Sequence, residues 1–330
     1  MFLENLQIHA LNQFDIKTLK IESSVLETNP LNDSPVKYNP VLLPKVKGEY
    51  QCVVYLSGFT GNGPKNFNFK SFEKNFIEEL DEWTTSGALG SKIYLFVDAW
   101  TSWGGSQFIN SKGCGDYENY IMTEVLPELE KIDGYSISNY AVMGGSSGGY
   151  GALHLSSKYP EKFSHCLAVA PDCDFEISLK PEIYHAFADI DNKGGVLEVY
   201  KKLKSGEFNT NHKSFHTMIN VLAMAACYSE VDSSGMPMLP LEKEGSFDHK
   251  LWETWLKKDP LNFLEDRIEN VKKLKTLFLS VGEFDQFLLQ YGARKIRKIF
   301  LKNNIDFNYE EFKGNHFDIS TRRKKALSLI

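Results

Sequence analysis

Six short apolar segments recur along the chain, and they restrict its possible folds more than any other feature. They are rich in β-branched and aromatic residues and occupy positions 51–56, 92–97, 139–144, 164–170, 276–281 and 306–312. The first five are apolar almost without interruption, which is typical of strands that are covered on both faces of a sheet. The sequence therefore predicts a sheet whose central strands are fully buried.

Longer amphipathic segments lie between these strands and predict α-helices. They occupy residues 72–83, 117–132, 149–159 and 288–303. Strands that alternate with helices form βαβ units, whose connections are right-handed and whose sheet is mainly parallel. The predicted fold class is α/β, with a mainly parallel central sheet flanked by helices. The 330 residues, 42% of them hydrophobic, are enough to build a single domain over positions 1–330.

Two stretches depart from this alternation. Residues 172–263 have no strong strand pattern but several helical fragments, and a stretch of ~90 residues far exceeds the usual connection of about 4–6 residues. It predicts a helical insertion that lies over the end of the sheet like a cap. The opening 45 residues contain LQIHAL and FDIKTLKIES, followed by loops with proline, and predict antiparallel strands at the edge of the sheet.

Charge and composition exclude several classes of partner. The chain has 37 basic and 43 acidic residues and a net charge of −6, so it lacks the basic surface that nucleic-acid binding requires. No segment approaches the ~20 apolar residues that span a bilayer, and the N-terminus lacks the pattern of a secretory signal. We therefore expect a soluble cytoplasmic protein that binds neither nucleic acid nor membrane. The five scattered cysteines predict no metal site or redox dithiol, and no cofactor is expected.

The segment MGGSSGGYGA at positions 143–152 is the strongest functional motif. It follows an apolar strand and leads directly into a predicted helix, which is the context of GxSxG, the nucleophile elbow of α/β-hydrolases. In that elbow the serine lies in a strained turn, and small neighbouring residues let the strand and the helix approach closely. Two registers fit, because Ser146 and Ser147 each lie at the centre of a GxSxG pattern.

A glycine-rich phosphate loop is the alternative interpretation of this motif. A P-loop requires lysine followed by serine or threonine after its last glycine, and GGYGAL has neither. A dinucleotide-binding fingerprint belongs to the first βαβ unit, whereas this motif follows the third clear buried strand. The motif therefore favours a catalytic serine, provided that the rest of the chain supplies a base and an acid.

A serine nucleophile needs a base, and the base needs an acid that orients it. In α/β-hydrolases these follow the serine in the order Asp or Glu, then His. Glu283 and Asp285 follow the last buried strand, and His316 follows the strand after it, where functional residues of such sheets lie. We predict His316 as the base and Asp285 as the acid. Glu283 is the second choice for the acid, and Asp172 and Asp174 are further alternatives.

The loop at 56–63, LSGFTGNG, follows the first buried strand and is suited to an oxyanion hole. Two backbone N–H groups normally stabilise the oxyanion, one from this loop and one from the residue after the nucleophile. We predict the N–H of Phe59, paired with that of Gly148 if Ser147 attacks. Side chains beside these loops are candidates for substrate contact, although each also suits the core: Trp103, Gln107, Phe108, Tyr150 and Phe287.

Five segments resemble the esterases related to esterase D, which include S-formylglutathione hydrolases, enterochelin-esterase-like proteins and bacterial mycolyltransferases. They are YLSGFTG, YENYIMTEVLPELE, GGSSGGYGAL, GEFDQFL and GNHFD, and they occur in the family's order between about residues 50 and 320. The resemblance implies an α/β-hydrolase fold and a serine-hydrolase mechanism without a metal. The family's elbow resembles GxSxGGxGA, which implies Ser147 as the nucleophile and Ser146 as the variable residue before it. The segment DQFL likewise implies Asp285 as the acid.

The resemblance is weaker for the substrate. S-formylglutathione hydrolases usually have a cysteine in the oxyanion loop, where this chain has SGFTGN, and VDAWTSWGGSQFINS is closer to the enterochelin-esterase-like branch. The sequence thus predicts a serine carboxylesterase that hydrolyses a small-molecule ester or thioester through an acyl-enzyme. An acyltransferase with the same triad is one alternative, and a catalytically inactive binding protein on this fold is another. Edge strands and exposed aromatics are compatible with a homo-oligomer but do not require one.

Overall fold

The central element of the fold is a twisted, mainly parallel sheet. The computed structural model describes residues 10–208 and 213–330, and within them this sheet has eight strands. They are β1 (Phe14–Glu22), β2 (Val36–Pro44), β3 (Gly48–Leu56), β4 (Ile93–Phe96), β5 (Tyr135–Gly145), β6 (Phe163–Val169), β7 (Thr276–Gly282) and β8 (Asn308–Phe312). Their order across the sheet is β1-β2-β4-β3-β5-β6-β7-β8. The predicted α/β class is therefore confirmed.

The edge of the sheet differs from its centre in direction and in burial. β2 runs antiparallel to β1 and β4, whereas β3 to β8 pair in parallel. β1 alternates between buried and exposed positions, while all four residues of β4 are buried, as expected for edge and central strands. FDIKTLKIES forms the predicted edge strand β1. The other predicted edge segment, LQIHAL, lies mostly outside the described residues.

Helices cover both faces of the sheet. They are α1 (Phe76–Thr85), α2 (117–129), α3 (Ser147–Lys158), α4 (Phe175–Ser178), α5 (Lys180–Asn192), α6 (Val196–Ser205), α7 (Lys213–Tyr228), α8 (His249–Leu256), α9 (Pro260–Asp266), α10 (Ile268–Val271), α11 (Leu289–Lys302) and α12 (Arg323–Leu327). α1 begins later than the predicted position 72, because Asn75 and Glu78 form a reciprocal capping box at its start. α2 includes a π-helical stretch, Tyr120–Val125.

The long interval between β6 and β7 contains helices α4 to α10, of which α4 to α8 lie within residues 172–263, where the sequence predicts an insertion. Its helix α7 is packed into the main core rather than set apart from it. The ring centroids of Tyr228 on α7 and Tyr150 on α3 are 6.0 Å apart. Cys227 has its Sγ 3.7 Å from that of Cys114, which belongs to the segment before α2. In residues 10–208 and 213–330, no helix is long and apolar enough to cross a membrane.

Candidate active site

The turn between β5 and α3 contains a single residue, Ser146, in a strained conformation. β5 ends at Gly145 and α3 begins at Ser147. Ser146 has φ 57° and ψ −125°, a combination that residues other than glycine rarely adopt. Its N–H donates to the carbonyl of Val169 at 2.9 Å, and its carbonyl accepts from the N–H of Tyr150 at 2.9 Å. The turn is therefore held on both sides of the strained residue.

Glycines two positions before and after Ser146 permit this turn. A Cβ atom at Gly144 would overlap the backbone of Gly148, and one at Gly148 would overlap the carbonyl oxygen of Leu56 at the end of β3. Only a residue without a side chain fits where two backbones approach so closely. The GxSxG pattern that the fold uses is therefore centred on Ser146.

His316 connects Ser146 to a buried carboxylate. Its Nε2 lies 3.0 Å from Ser146 Oγ, and its Nδ1 lies 2.7 Å from Asp285 Oδ2. The side chains are well shielded, since His316 is 7% exposed and Asp285 is 2% exposed. Because the carboxylate accepts the Nδ1 proton, Nε2 is left as the acceptor that faces the serine hydroxyl. The other Asp285 oxygen, Oδ1, accepts the N–H of Phe287 at 2.9 Å.

The arrangement differs from the sequence prediction in the identity of the serine. Ser147, the predicted nucleophile, is 2% exposed, and its Oγ donates to Asp172 Oδ2 at 2.9 Å rather than to His316. It is already the first residue of α3, so the strained turn falls one residue earlier. The pattern GxSxGGxGA in fact fits residues 144–152 with Ser146 at its serine, so the prediction placed the nucleophile one residue too late; Gly149, the second glycine after it, lies with its Cβ position 3.0 Å from Pro171 Cα.

The loop after β3 lies beside Ser146, as predicted for an oxyanion loop. A Cβ at Gly58 would lie 3.7 Å from Ser146 Cβ, and Phe59 lines the same cavity as Ser146. Gly148, the second predicted donor, lies under the end of β3. With Ser146 in the turn, the residue that follows is Ser147, whose N–H opens α3. If Ser146 is the nucleophile, the second N–H of the predicted pair is therefore that of Ser147 instead of Gly148.

A cavity of about 420 Å³ opens above Ser146. Aromatic rings form its walls: the Phe287 ring lies 4.7 Å from that of His316, and His216 of α7 lies 6.0 Å from Phe59 and 6.4 Å from Phe287. Polar groups from the 172–263 interval also face the cavity, namely Asp172, Ser178 and Asn220. The rim carries Lys65, Phe317 and Arg323.

The five predicted substrate-contact residues divide into three groups. Phe287 lines the cavity. Gln107 lies behind it, with its Nε2 donating to Asp172 Oδ2 at 2.9 Å. Trp103, Phe108 and Tyr150 are core residues that are 0%, 4% and 0% exposed. The sequence could not exclude them, because an aromatic residue of a pocket and one of the core have the same sequence pattern.

The sequence does not predict the position of Asp172 beside the two serines. It was an alternative for the acid that orients the histidine, but its carboxylate instead faces the two serines, with Oδ1 3.3 Å from Ser146 Oγ. Burial raises the pKa of Asp172, against the opposite effect of the Gln107 hydrogen bond. Of the remaining alternatives, Asp174 pairs with Lys295 at 2.5 Å. Glu283 is absent from the lining of the cavity over the described residues.

Comparison with known proteins finds esterases and other serine hydrolases. The model of the esterase family, described as "Putative esterase", matches residues 35–318. A ferulic acid esterase shares 16% identity and a TM-score of 0.60, over 96% of this chain and 97% of that one. The fluorophosphonate-binding serine hydrolase F of Staphylococcus aureus shares 13% identity and a TM-score of 0.58, over 96% and 98%. An S-formylglutathione hydrolase from Agrobacterium tumefaciens shares 16% identity and a TM-score of 0.55, over 97% and 96%. No curated protein matches the sequence.

Proposed function

Because the chain belongs to the esterase family and is a serine hydrolase that acts on ester bonds, we propose that Ser146, His316 and Asp285 are its catalytic triad. One observation carries this proposal: the continuous path from Asp285 through His316 to Ser146, with separations of 2.7 and 3.0 Å. The strained backbone of Ser146 supports the same assignment, since strain of this kind clusters at reacting residues. The proposed activity is that of a carboxylesterase without a cofactor.

The proposed reaction begins with attack of Ser146 Oγ on the ester carbonyl. His316 Nε2 accepts the hydroxyl proton as the C–O bond forms, and Asp285 stabilises the resulting imidazolium through Nδ1. His316 then returns the proton to the leaving alkoxide as the ester C–O bond breaks. In the second half, His316 takes a proton from water, which attacks the acyl-enzyme, and returns it to Ser146 Oγ as the free acid leaves.

The proposed oxyanion hole consists of the N–H groups of Phe59 and Ser147. The position of the loop at Gly58 next to Ser146 supports the first donor. The second donor also lies at the N-terminus of α3, where the helix dipole favours negative charge. Removing one such donor from comparable sites costs about 10²–10³ in kcat.

The proposed substrates are esters of small molecules. A cavity of about 420 Å³ lies within the usual range of small-molecule sites, about 300–1,000 Å³. Its aromatic walls suit an apolar portion of the substrate, and helix α7 of the insertion contributes one wall through His216 and Asn220. The structural neighbours include a ferulic acid esterase and an S-formylglutathione hydrolase, so hydrolysis of several ester classes is compatible with this fold.

A matched pair of serine variants tests the triad. We expect Ser146→Ala to abolish labelling by a small fluorophosphonate and to lower kcat for p-nitrophenyl butyrate by at least about 10³-fold. Ser147→Ala keeps its backbone N–H, so we expect it to retain labelling and to lose less than about tenfold in kcat. Mass spectrometry of the labelled wild-type peptide should locate the adduct on Ser146. An adduct on Ser147, or none, would contradict the proposal.

A further inference from the structure

A second carboxylate, that of Asp172, lies next to Ser146 and has no part in the proposed triad. Its Oδ2 accepts two hydrogen bonds, from Ser147 Oγ and Gln107 Nε2, both at 2.9 Å. Its Oδ1 lies 3.3 Å from Ser146 Oγ, and the residue lines the cavity. One carboxylate oxygen is thus occupied by the protein, while the other faces the reacting hydroxyl.

The backbone holds Asp172 in this place at the expense of local strain. Ala170 and Asp174, two residues before and after it, have φ angles of 43° and 57°, and its partner Gln107 has φ 54°. A positive φ is unfavourable for alanine and glutamine, and less so for aspartate. The segment is fixed by Asp259, whose carboxylate accepts the N–H groups of Asp174 and Phe175 at 3.0 and 2.7 Å. Because hydrogen bonds hold this unfavourable backbone in place, the fixed position of the Asp172 carboxylate indicates a function in the site.

By elimination, Asp172 is assigned to the acyl side of a bound ester. The carbonyl carbon that bonds to Ser146 Oγ carries three other groups. The oxyanion must face the loop of Phe59, and the leaving group must face His316, which protonates it. Asp172 belongs to neither element, so the remaining substituent, the acyl chain, extends along its side.

Formation of the acyl-enzyme changes the hydrogen bonding of Asp172. The single proton of Ser146 Oγ is shared between the nearby His316 Nε2 and Asp172 Oδ1 in the free protein, and in the acyl-enzyme Oγ is an ester oxygen with no proton for either. A shielded carboxylate oxygen without a donor is destabilising, and a hydrogen bond to a charged group is stronger than one between neutral groups. A donor on the first or second carbon of the acyl chain, one or two bonds beyond the carbonyl carbon, is placed to supply it, whereas a carboxylate there is repelled.

We propose that Asp172 determines acyl specificity: the site favours esters whose acyl chain carries a hydroxyl or ammonium group on the carbon next to the carbonyl or on the following carbon, and it discriminates against acyl chains with a carboxylate. This inference rests on the proposed triad. It differs from a purely structural role, in which Asp172 only positions Ser147 and has no effect on the choice among acyl groups.

A panel of methyl esters tests the proposal in the wild-type protein. The panel comprises methyl propionate, methyl lactate, methyl alaninate and monomethyl succinate, with hydrolysis followed in a pH-stat at pH 7. Each kcat/KM is divided by the hydroxide-catalysed rate constant of the same ester, which removes differences in intrinsic reactivity. We expect lactate or alaninate to exceed propionate by about 10- to 100-fold, and succinate to fall at least tenfold below it. The donor arm with the higher value identifies hydroxyl or ammonium as the preferred group.

Asp172→Asn should compress these ratios to within about threefold, and Glu283→Gln is the matched control. Glu283→Gln removes one carboxylate near the site that does not line the cavity, so it should leave the ratios unchanged. Wild-type ratios within threefold of one another would overturn the proposal, even if Asp172→Asn failed to fold. Ratios that persist in folded Asp172→Asn would do the same. Fluorophosphonate labelling of Ser146 and hydrolysis of methyl propionate would survive either result, whereas failure of the triad would abolish both.

Discussion

Replacement of His154 by glutamine should make the stability of the protein less sensitive to mild acid. His154 lies on α3, the helix that follows the catalytic turn, and is 5% exposed. Its Nε2 lies 2.6 Å from Glu118 Oε2. Burial lowers the pKa of His154 to about 4, and the hydrogen bond that it donates to Glu118 offsets this only in part. The ring is therefore neutral at neutral pH and donates its Nε2 proton to Glu118.

The sign and size of the effect follow from these pKa values. A base whose pKa falls on folding binds fewer protons when folded, so acid favours the unfolded state between the folded value of about 4 and the ordinary value of 6.5. At about 1.4 kcal/mol for each pH unit in this window, the His154 contribution to the free energy of unfolding falls by about 2 kcal/mol between pH 7.5 and pH 5. The effect is complete below about pH 3.

Two buried carboxyl groups, Glu118 and Asp259, also respond to acid. Burial would raise the pKa of Glu118, but hydrogen bonds from His154 and Lys158 lower it to about 2, so its contribution is lost only below about pH 4.5. Burial raises the pKa of Asp259 to about 6. That group favours the folded state as the pH falls through this value, but it does so equally in the wild type and in the variant.

The assay is urea unfolding followed by tryptophan fluorescence at pH 7.5 and pH 5. His154→Gln is uncharged at both values and retains an amide N–H for Glu118. The wild type should therefore lose about 2 kcal/mol more stability than the variant between the two pH values. His249→Gln, at an exposed position on α8, should follow the wild type. Equal losses in the wild type and His154→Gln would refute the assigned protonation state.

Two further changes test the elbow and the acid. Gly148→Ala should destabilise the protein by at least about 2 kcal/mol in urea unfolding, because the new Cβ overlaps the Leu56 carbonyl. Gly90→Ala is the control, since its Cβ meets only Lys92 Nζ at 3.8 Å. Similar effects of the two substitutions would count against the close approach at Gly148. Asp285→Asn should lower kcat for p-nitrophenyl butyrate by about 10⁴-fold while the Tm changes little. A loss below tenfold would show that another group orients His316.

Much of the fold follows from the sequence because burial leaves a regular pattern. The buried strands β3 to β7 each overlap a predicted apolar segment, and α3 and α11 lie within two residues of their predicted ends. Boundaries that depend on a specific cap are less regular, as the later start of α1 at Asn75 illustrates. Asp285 and His316 could be proposed from chain order, since loops at the carboxyl ends of neighbouring parallel strands converge.

The GxSxG spacing alone could not decide between Ser146 and Ser147, because five glycines surround the pair and satisfy both registers, whereas the longer pattern GxSxGGxGA fits residues 144–152 only with Ser146 as its serine. The distinction depends on which residue begins α3 and which glycines contact another backbone. Gly144 and Gly148 make such contacts within the elbow, while Gly149 faces Pro171. A pattern of small residues indicates that backbones approach closely, but it does not indicate which backbones approach each other. The motif therefore predicts a catalytic turn without fixing its centre.

Asp172 illustrates a deeper reason why site residues escape sequence analysis. Its significance comes from the distance to Ser146, and that distance depends on positive φ angles at Ala170, Gln107 and Asp174. Aspartate adopts this conformation more readily than most residues, but alanine and glutamine rarely do, so a prediction from propensity misses the conformations of Ala170 and Gln107. They persist because contacts from distant parts of the chain, such as Asp259 on the turn at Asp174, outweigh local preference. The proposed acyl specificity therefore depends on strained loops that are held by contacts from the insertion, and these are the parts of the fold that the sequence predicts least well.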